Sequence, residues 1–172
     1  MNKATVIKHR MTALIAVILL ICADLVTKSY AAKTFKNSPK VLIPGALELT
    51  YFENRGAAFS MLQGKFTFFY IGTVIVLLAI IYVYLKMPDT KRFNLLRITL
   101  VFLCAGAIGN FIDRIALQYV RDFIYFSLIN FPIFNVADIY VTCSAITLAL
   151  LILFYYKDEE FSFLKLKKDK DE

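Results

Sequence analysis

With 172 residues, 59% of them apolar and a mean hydropathy of +0.65, the chain carries more apolar surface than a soluble domain of its size can bury. That share excludes disorder, and six Gly and four Pro exclude a collagen-like or low-complexity chain. A net charge of +7 needs no nucleic acid, because membrane proteins keep Lys and Arg at the cytoplasmic surface. The expected class is an all-α integral membrane protein forming a single domain over 1–172.

In chain order, four apolar runs predict transmembrane helices at about 11–28, 66–85, 95–114 and 132–156. The first does not read as a cleaved signal peptide, since it holds Asp24 and Lys28 and no small-x-small site follows it cleanly. Outer loops are predicted at 29–65 and 115–131, and a charged tail at 157–172. Within the first loop, Pro44–Gly45 marks a turn and Ala46–Phe52 alternates, which predicts a short strand. The second loop holds VRDFIYF, a candidate for another strand.

Lys3, Lys8 and Arg10, then Lys86, Lys91, Arg92 and Arg97, then Lys157, Lys165, Lys167, Lys168 and Lys170 all fall on one side of four crossings. Both termini are therefore expected in the cytoplasm. The contrast is incomplete, because Lys33, Lys36, Lys40, Arg55 and Arg121 fall in the outer loops.

Ionisable and amide side chains inside spans are costly and need a reason. Asp24 and Lys28 share a face of the first helix, Asn110, Asp113 and Arg114 a face of the third, and Asn135 and Asp138 a face of the fourth. With this topology all three clusters reach the same depth near the outer face, where Asn54, Gly56 and Asp122 also lie. Helix two carries only mild polar residues such as Thr67 and Thr73 and reads as scaffold.

His9, the one histidine, sits in the polar N-terminus, so a Ser–His–Asp triad, a Cys–His pair or an HExxH zinc site has no imidazole in the membrane. Cys22, Cys104 and Cys143 lie in apolar stretches and read as small hydrophobes, with no disulfide, metal or cofactor expected. Two carboxyls sharing a proton then offer the natural hydrolytic chemistry, one activating water and the other protonating a carbonyl oxygen.

Plainer readings compete with this one. Asp24 with Lys28 is an interfacial salt bridge, Asp113 with Arg114 a structural ion pair, Asn110 and Asn135 interhelical bridges, and Asp122 a solvated loop acid. A serine–lysine pair from Ser29 beside Lys28, or Ser60 with Lys65, is disfavoured, since adjacent helical residues do not face each other and Lys65 lies at a span boundary. Another class altogether is a small four-helix proton-coupled transporter.

Five blocks carry a resemblance over nearly the whole chain. They are Asp24-Leu-Val-Thr-Lys28, Asn54-Arg-Gly-Ala-Ala-Phe-Ser60, Gly109-Asn-Phe-Ile-Asp-Arg114, Val120-Arg-Asp-Phe-Ile124 and Phe134-Asn-Val-Ala-Asp138. In this order they resemble the lipoprotein signal peptidases, or signal peptidase II. The resemblance implies four transmembrane helices with an extracytoplasmic β-cradle and a short surface helix. It implies an aspartyl endopeptidase of the bacterial cytoplasmic membrane that cuts diacylglyceryl-modified prolipoproteins before the lipidated cysteine and is inhibited by globomycin. Asp122 and Asp138 correspond to the catalytic pair. Asn54, Gly56, Asn110, Arg114 and Asn135 correspond to positions that order the site or hold substrate, and Asp24, Lys28 and Asp113 to supporting polar positions. The expected partners are the prolipoprotein and membrane lipids, with one chain sufficient for function.

Overall fold

The computed structural model describes residues 3–56 and 66–164. Ser60 and Lys65, residues 57–60 of the second block, and the tail beyond 164 lie outside the described residues. Among the described residues, four helices are long and apolar enough to cross a membrane: Val6–Thr34, Thr67–Lys86, Lys91–Leu117 and Val136–Tyr155.

Helix α1 (Lys3–Thr34) runs well past the expected end at 28, so Ser29 and Lys33 are helical rather than loop. No Pro or Gly interrupts it, and Lys33 in its last turn complements the negative end of the helix dipole. At 32 residues it spans about 48 Å, more than the ~30 Å of hydrocarbon, so it projects beyond one membrane face. Beyond it, β1 (Lys40–Ile43) and β2 (Leu47–Asn54) form a hairpin. Its turn uses Gly45 at φ +70°, a left-handed conformation that costs glycine little. Helix α2 (Phe66–Lys86) leads through a 3-10 turn at Lys91–Phe93 into α3 (Asn94–Leu117). Strand β3 (Val120–Tyr125) then adds antiparallel to β2, giving the sheet order β1-β2-β3. The strand expected from alternation at Ala46–Phe52 and the candidate strand in VRDFIYF are both present.

The fourth crossing differs from the expected continuous helix over 132–156. Residues before 136 are extended, and Phe134 pairs with Ile124 at the edge of β3. Helix α4 (Val136–Leu150) begins at a capping box, in which Asn135 and Asp138 each accept from the other's backbone N–H. It ends in a π turn over Leu151–Tyr155, closed by the Tyr156 N–H on Leu151 O at 2.9 Å. A further 3-10 turn, Ser127–Ile129, follows β3 on the way to α4.

Helix α3 is central and packs against α1, α2 and α4. In a membrane, close backbone approach drives much of helix association, and small residues permit it. Gly106 and Gly109 provide that here. A Cβ at Gly106 would stand 2.6 Å from Ala137 O on α4, and one at Gly109 would stand 2.5 Å from Asp24 Oδ2 on α1. At the sheet end, Ala31, Phe35 and Phe123 pack together, seating the cradle on α1. At the opposite end, Ile80, Met87, Phe93, Leu96, Leu100, Leu151 and Tyr156 form a second cluster.

Candidate active site

The polar residues of α1, α3, β3 and α4 meet beneath the sheet. Asp24 and Lys28, four apart on α1, are both 0% exposed, with Lys28 Nζ 2.7 Å from Asp24 Oδ2. Asp24 Oδ1 accepts from the Ala137 N–H at 2.9 Å, pinning α1 to the first turn of α4. Lys28 also donates to Asn110 Oδ1 at 2.9 Å and lies 3.7 Å from Asp113 Oδ2. The pair is thus a buried three-helix junction, not an interfacial salt bridge, and loss of either charge would strand the other away from water.

Asp113 does not pair with the adjacent Arg114. Its carboxylate takes Arg121 Nη2 at 2.6 Å and the Arg121 backbone N–H at 3.0 Å, which binds the end of α3 to β3. Arg121 Nη1 also donates to Ser29 Oγ at 3.1 Å. From sequence Arg121 counts only as a loop charge and Ser29 only as a disfavoured nucleophile. Their roles depend on where β3 docks on α1, and residue spacing carries no signal for that.

Asp122, next in the strand, is 1% exposed and is no solvated acid. The β2–β3 register sets Phe52 opposite Asp122 and Asn54 opposite Val120, so the end of β2 lies over the carboxyl. Asn54 Nδ2 donates to Asp122 Oδ2 at 2.9 Å, and Asn135 Nδ2 donates to Asp122 Oδ1 at 2.6 Å. Burial, reinforced by the charge of Asp138, pushes the Asp122 carboxyl up to about 7. Asp138 accepts from the Asn135 N–H at 3.1 Å through Oδ2 and from Asn110 Nδ2 at 2.7 Å through Oδ1. Asn135 Nδ2 lies 3.2 Å from Asn110 Oδ1, which closes a continuous network from Lys28 through both amides to both aspartates.

Both aspartates border one cleft of about 400 Å³, together with Asn54 and Arg114. Its remaining walls are chiefly apolar, from Val120, Phe131, Ile133, Phe134, Ile139 and Cys143 among others. Arg114 reaches Gly56 O at 3.5 Å, and Gly56 N–H donates to Asn54 Oδ1 at 3.0 Å. This fixes Asn54 through a local Asx-type turn. Tyr70 of α2 donates to Arg114 O at 2.9 Å, and Phe69 lies under the guanidinium, so α2 contributes more than scaffold. Every site residue expected from sequence therefore lies in or against this network. Among the described residues no group of three or more His, Cys, Asp or Glu is placed to hold a metal.

A helical bundle with two carboxyls at the mouth of an apolar cleft, under a small sheet, is the architecture of a membrane-embedded hydrolase. Similarity to known proteins leads to the same class. The signal peptidase (SPase) II family profile matches residues 16–154. Lipoprotein signal peptidase of Enterococcus faecalis is 44% identical over 152 residues, covering 85% of this chain and 90% of that protein. That of Caldicellulosiruptor bescii is 42% identical over 144 residues, covering 84% of this chain and 91% of its own. A bacterial membrane enzyme solved by the in meso method at 2.3 Å is 35% identical, with a TM-score of 0.75 over 92% of this chain and 94% of that one. The chain belongs to the signal peptidase II family, as a multi-pass membrane protein. The transporter reading finds no support in the family or the fold.

Proposed function

We propose that the chain is an aspartic endopeptidase that removes signal peptides from diacylglyceryl-modified prolipoproteins, with Asp122 and Asp138 as the catalytic pair. The observation that carries this reading is that both carboxyls border one cleft and both bond to Asn135. Burial and the charge of Asp138 favour the protonated form of Asp122 relative to an ordinary aspartate. Asp138 takes a proton from water, and that water attacks the carbonyl carbon before the lipidated cysteine. Asp122 protonates the carbonyl oxygen, and collapse of the tetrahedral intermediate releases the signal peptide with proton return to the amine. Arg114 and Asn54 hold the peptide backbone, while Phe131, Ile133 and Ile139 receive the diacylglyceryl chains. Burial of each CH₂ contributes ~0.8 kcal/mol toward holding the bond in place.

The site faces the outer leaflet, where the diacylated cysteine is anchored, with both termini in the cytoplasm. One chain contains the whole pair, so the monomer is the functional unit. A globomycin-type cyclic lipopeptide would block the same cleft. The decisive assay is cleavage of a synthetic diacylated prolipoprotein peptide by the purified chain. Asp122→Asn and Asp138→Asn are each expected to abolish cleavage while the protein still inserts. Retained turnover in either variant would remove the assignment.

A further inference from the structure

A second cavity, of about 840 Å³, opens between α1 and α3 at the end of the bundle remote from the aspartates. We propose that it binds one anionic diacyl phospholipid, with an acyl chain in the groove and the phosphate at Lys91. The groove has the dimensions of one leaflet. From His9 to Leu20, both at its lining, α1 advances about 16 Å, half the ~30 Å of hydrocarbon. Ala13 and Ala16 make a shallow floor, and Leu20, Val101 and Phe102 form apolar walls. This is a track for a chain rather than a flat lipid-facing helix surface.

The mouth sets the headgroup chemistry. Its one acid, Asp89, is already engaged, with Arg97 Nη2 at 3.0 Å and His9 Nδ1 at 2.8 Å. Arg97 is itself tied down, donating to Thr90 O at 3.1 Å and to Asn94 Oδ1 at 3.0 Å. Lys91 is exposed, and its side chain has no hydrogen-bond or ion-pair partner among the described residues. The rim therefore presents uncompensated positive charge directly above an apolar track, which fits a phosphodiester with acyl chains. A signal peptide fits poorly, because its basic n-region would meet the same charge.

The test is native mass spectrometry of the full chain released from bilayers of equal dioleoylphosphatidylglycerol and dioleoylphosphatidylcholine. One phosphatidylglycerol should be retained in preference to phosphatidylcholine. Lys91→Gln should lower that retention about fivefold, since one lysine near a membrane surface contributes ~1 kcal/mol. Its cleavage of the diacylated peptide should be unchanged. Ala16→Phe, which fills the floor, should remove retention of both lipids. Equal retention of the two lipids, or no effect of Lys91→Gln, overturns the proposal, as does cross-linking of the signal peptide to position 16. If Ala16→Phe fails to insert, the exposed Lys91→Gln still decides. The lipid readout needs no turnover, so it fails or succeeds independently of the peptidase assignment.

Discussion

Three amide side chains stand around the two aspartates, and Asn135 carries the most. Its side chain accepts from the Asp138 N–H at 3.0 Å and donates to Asp122, so one residue both caps α4 and joins the two carboxyls. Asn135→Ala is expected to remove cleavage and to cost roughly 1–2 kcal/mol for the lost cap. Parallel turnover and thermal-unfolding measurements would check both. The raised Asp122 carboxyl gives a pH signature. Its folded value, about 7, lies above its ordinary 3.8. Its contribution to stability is therefore full below about pH 4 and is lost as pH rises to about 7. The stability gained by Asp122→Asn over the parent chain should be greatest above pH 7 and vanish toward pH 4. Cleavage should fall above about pH 7, as Asp122 loses its proton, with kcat against pH as the measurement.

At the scale of elements, the crossing of α3 with α1 and α4 depends on two missing side chains. A methyl at Gly106 would press on backbone, the Ala137 carbonyl, and so must displace the first turn of α4. At Gly109 it would press on the Asp24 carboxylate, whose other oxygen holds the Ala137 N–H. Gly106→Ala is expected to destabilise by about 1–3 kcal/mol and to impair turnover by shifting Asp138. Melting in detergent and steady-state kinetics read both. Elements are legible from sequence where one local rule governs them. The apolar runs locate the spans, and alternation locates β2. Sequence starts α4 too early because residues 132–135 are mostly apolar, yet Phe134 is held by β3 and Asn135 by its cap. It ends α1 too early because Lys28 reads as a boundary residue, whereas Asp24, Asn110 and Asp113 compensate its burial. Spacing and topology together bring Asp24, Asn110, Asp113 and Asp138 to one depth. The link from Arg121 to Asp113 needs strand docking, which no periodicity encodes.

Over the whole molecule, the two ends carry different features. Lys91 and Arg92 lie in the 3-10 turn at one end, and the carboxyl network lies at the end covered by the sheet, where Lys33, Lys36, Lys40, Arg55 and Arg121 also fall. Cysteine labelling in intact cells, on a background free of Cys22, Cys104 and Cys143, should mark position 41 from outside and position 158 only after permeabilisation. The opposite pattern would overturn the proposed topology.

The last crossing to be synthesised has a particular consequence. Asp122 sits on a strand whose outer edge is closed by Phe134, and its partner acid lies one helical turn beyond Asn135. A ribosome-bound chain that has not yet delivered α4 thus has neither Asp138 nor the amide that ties the acids together. On the proposed roles of Asp122 and Asp138, proteolytic competence would be withheld until α4 is in place. A truncation ending near residue 130 should insert its first three helices and remain inert, and supplying α4 as a separate peptide is the route by which activity would return.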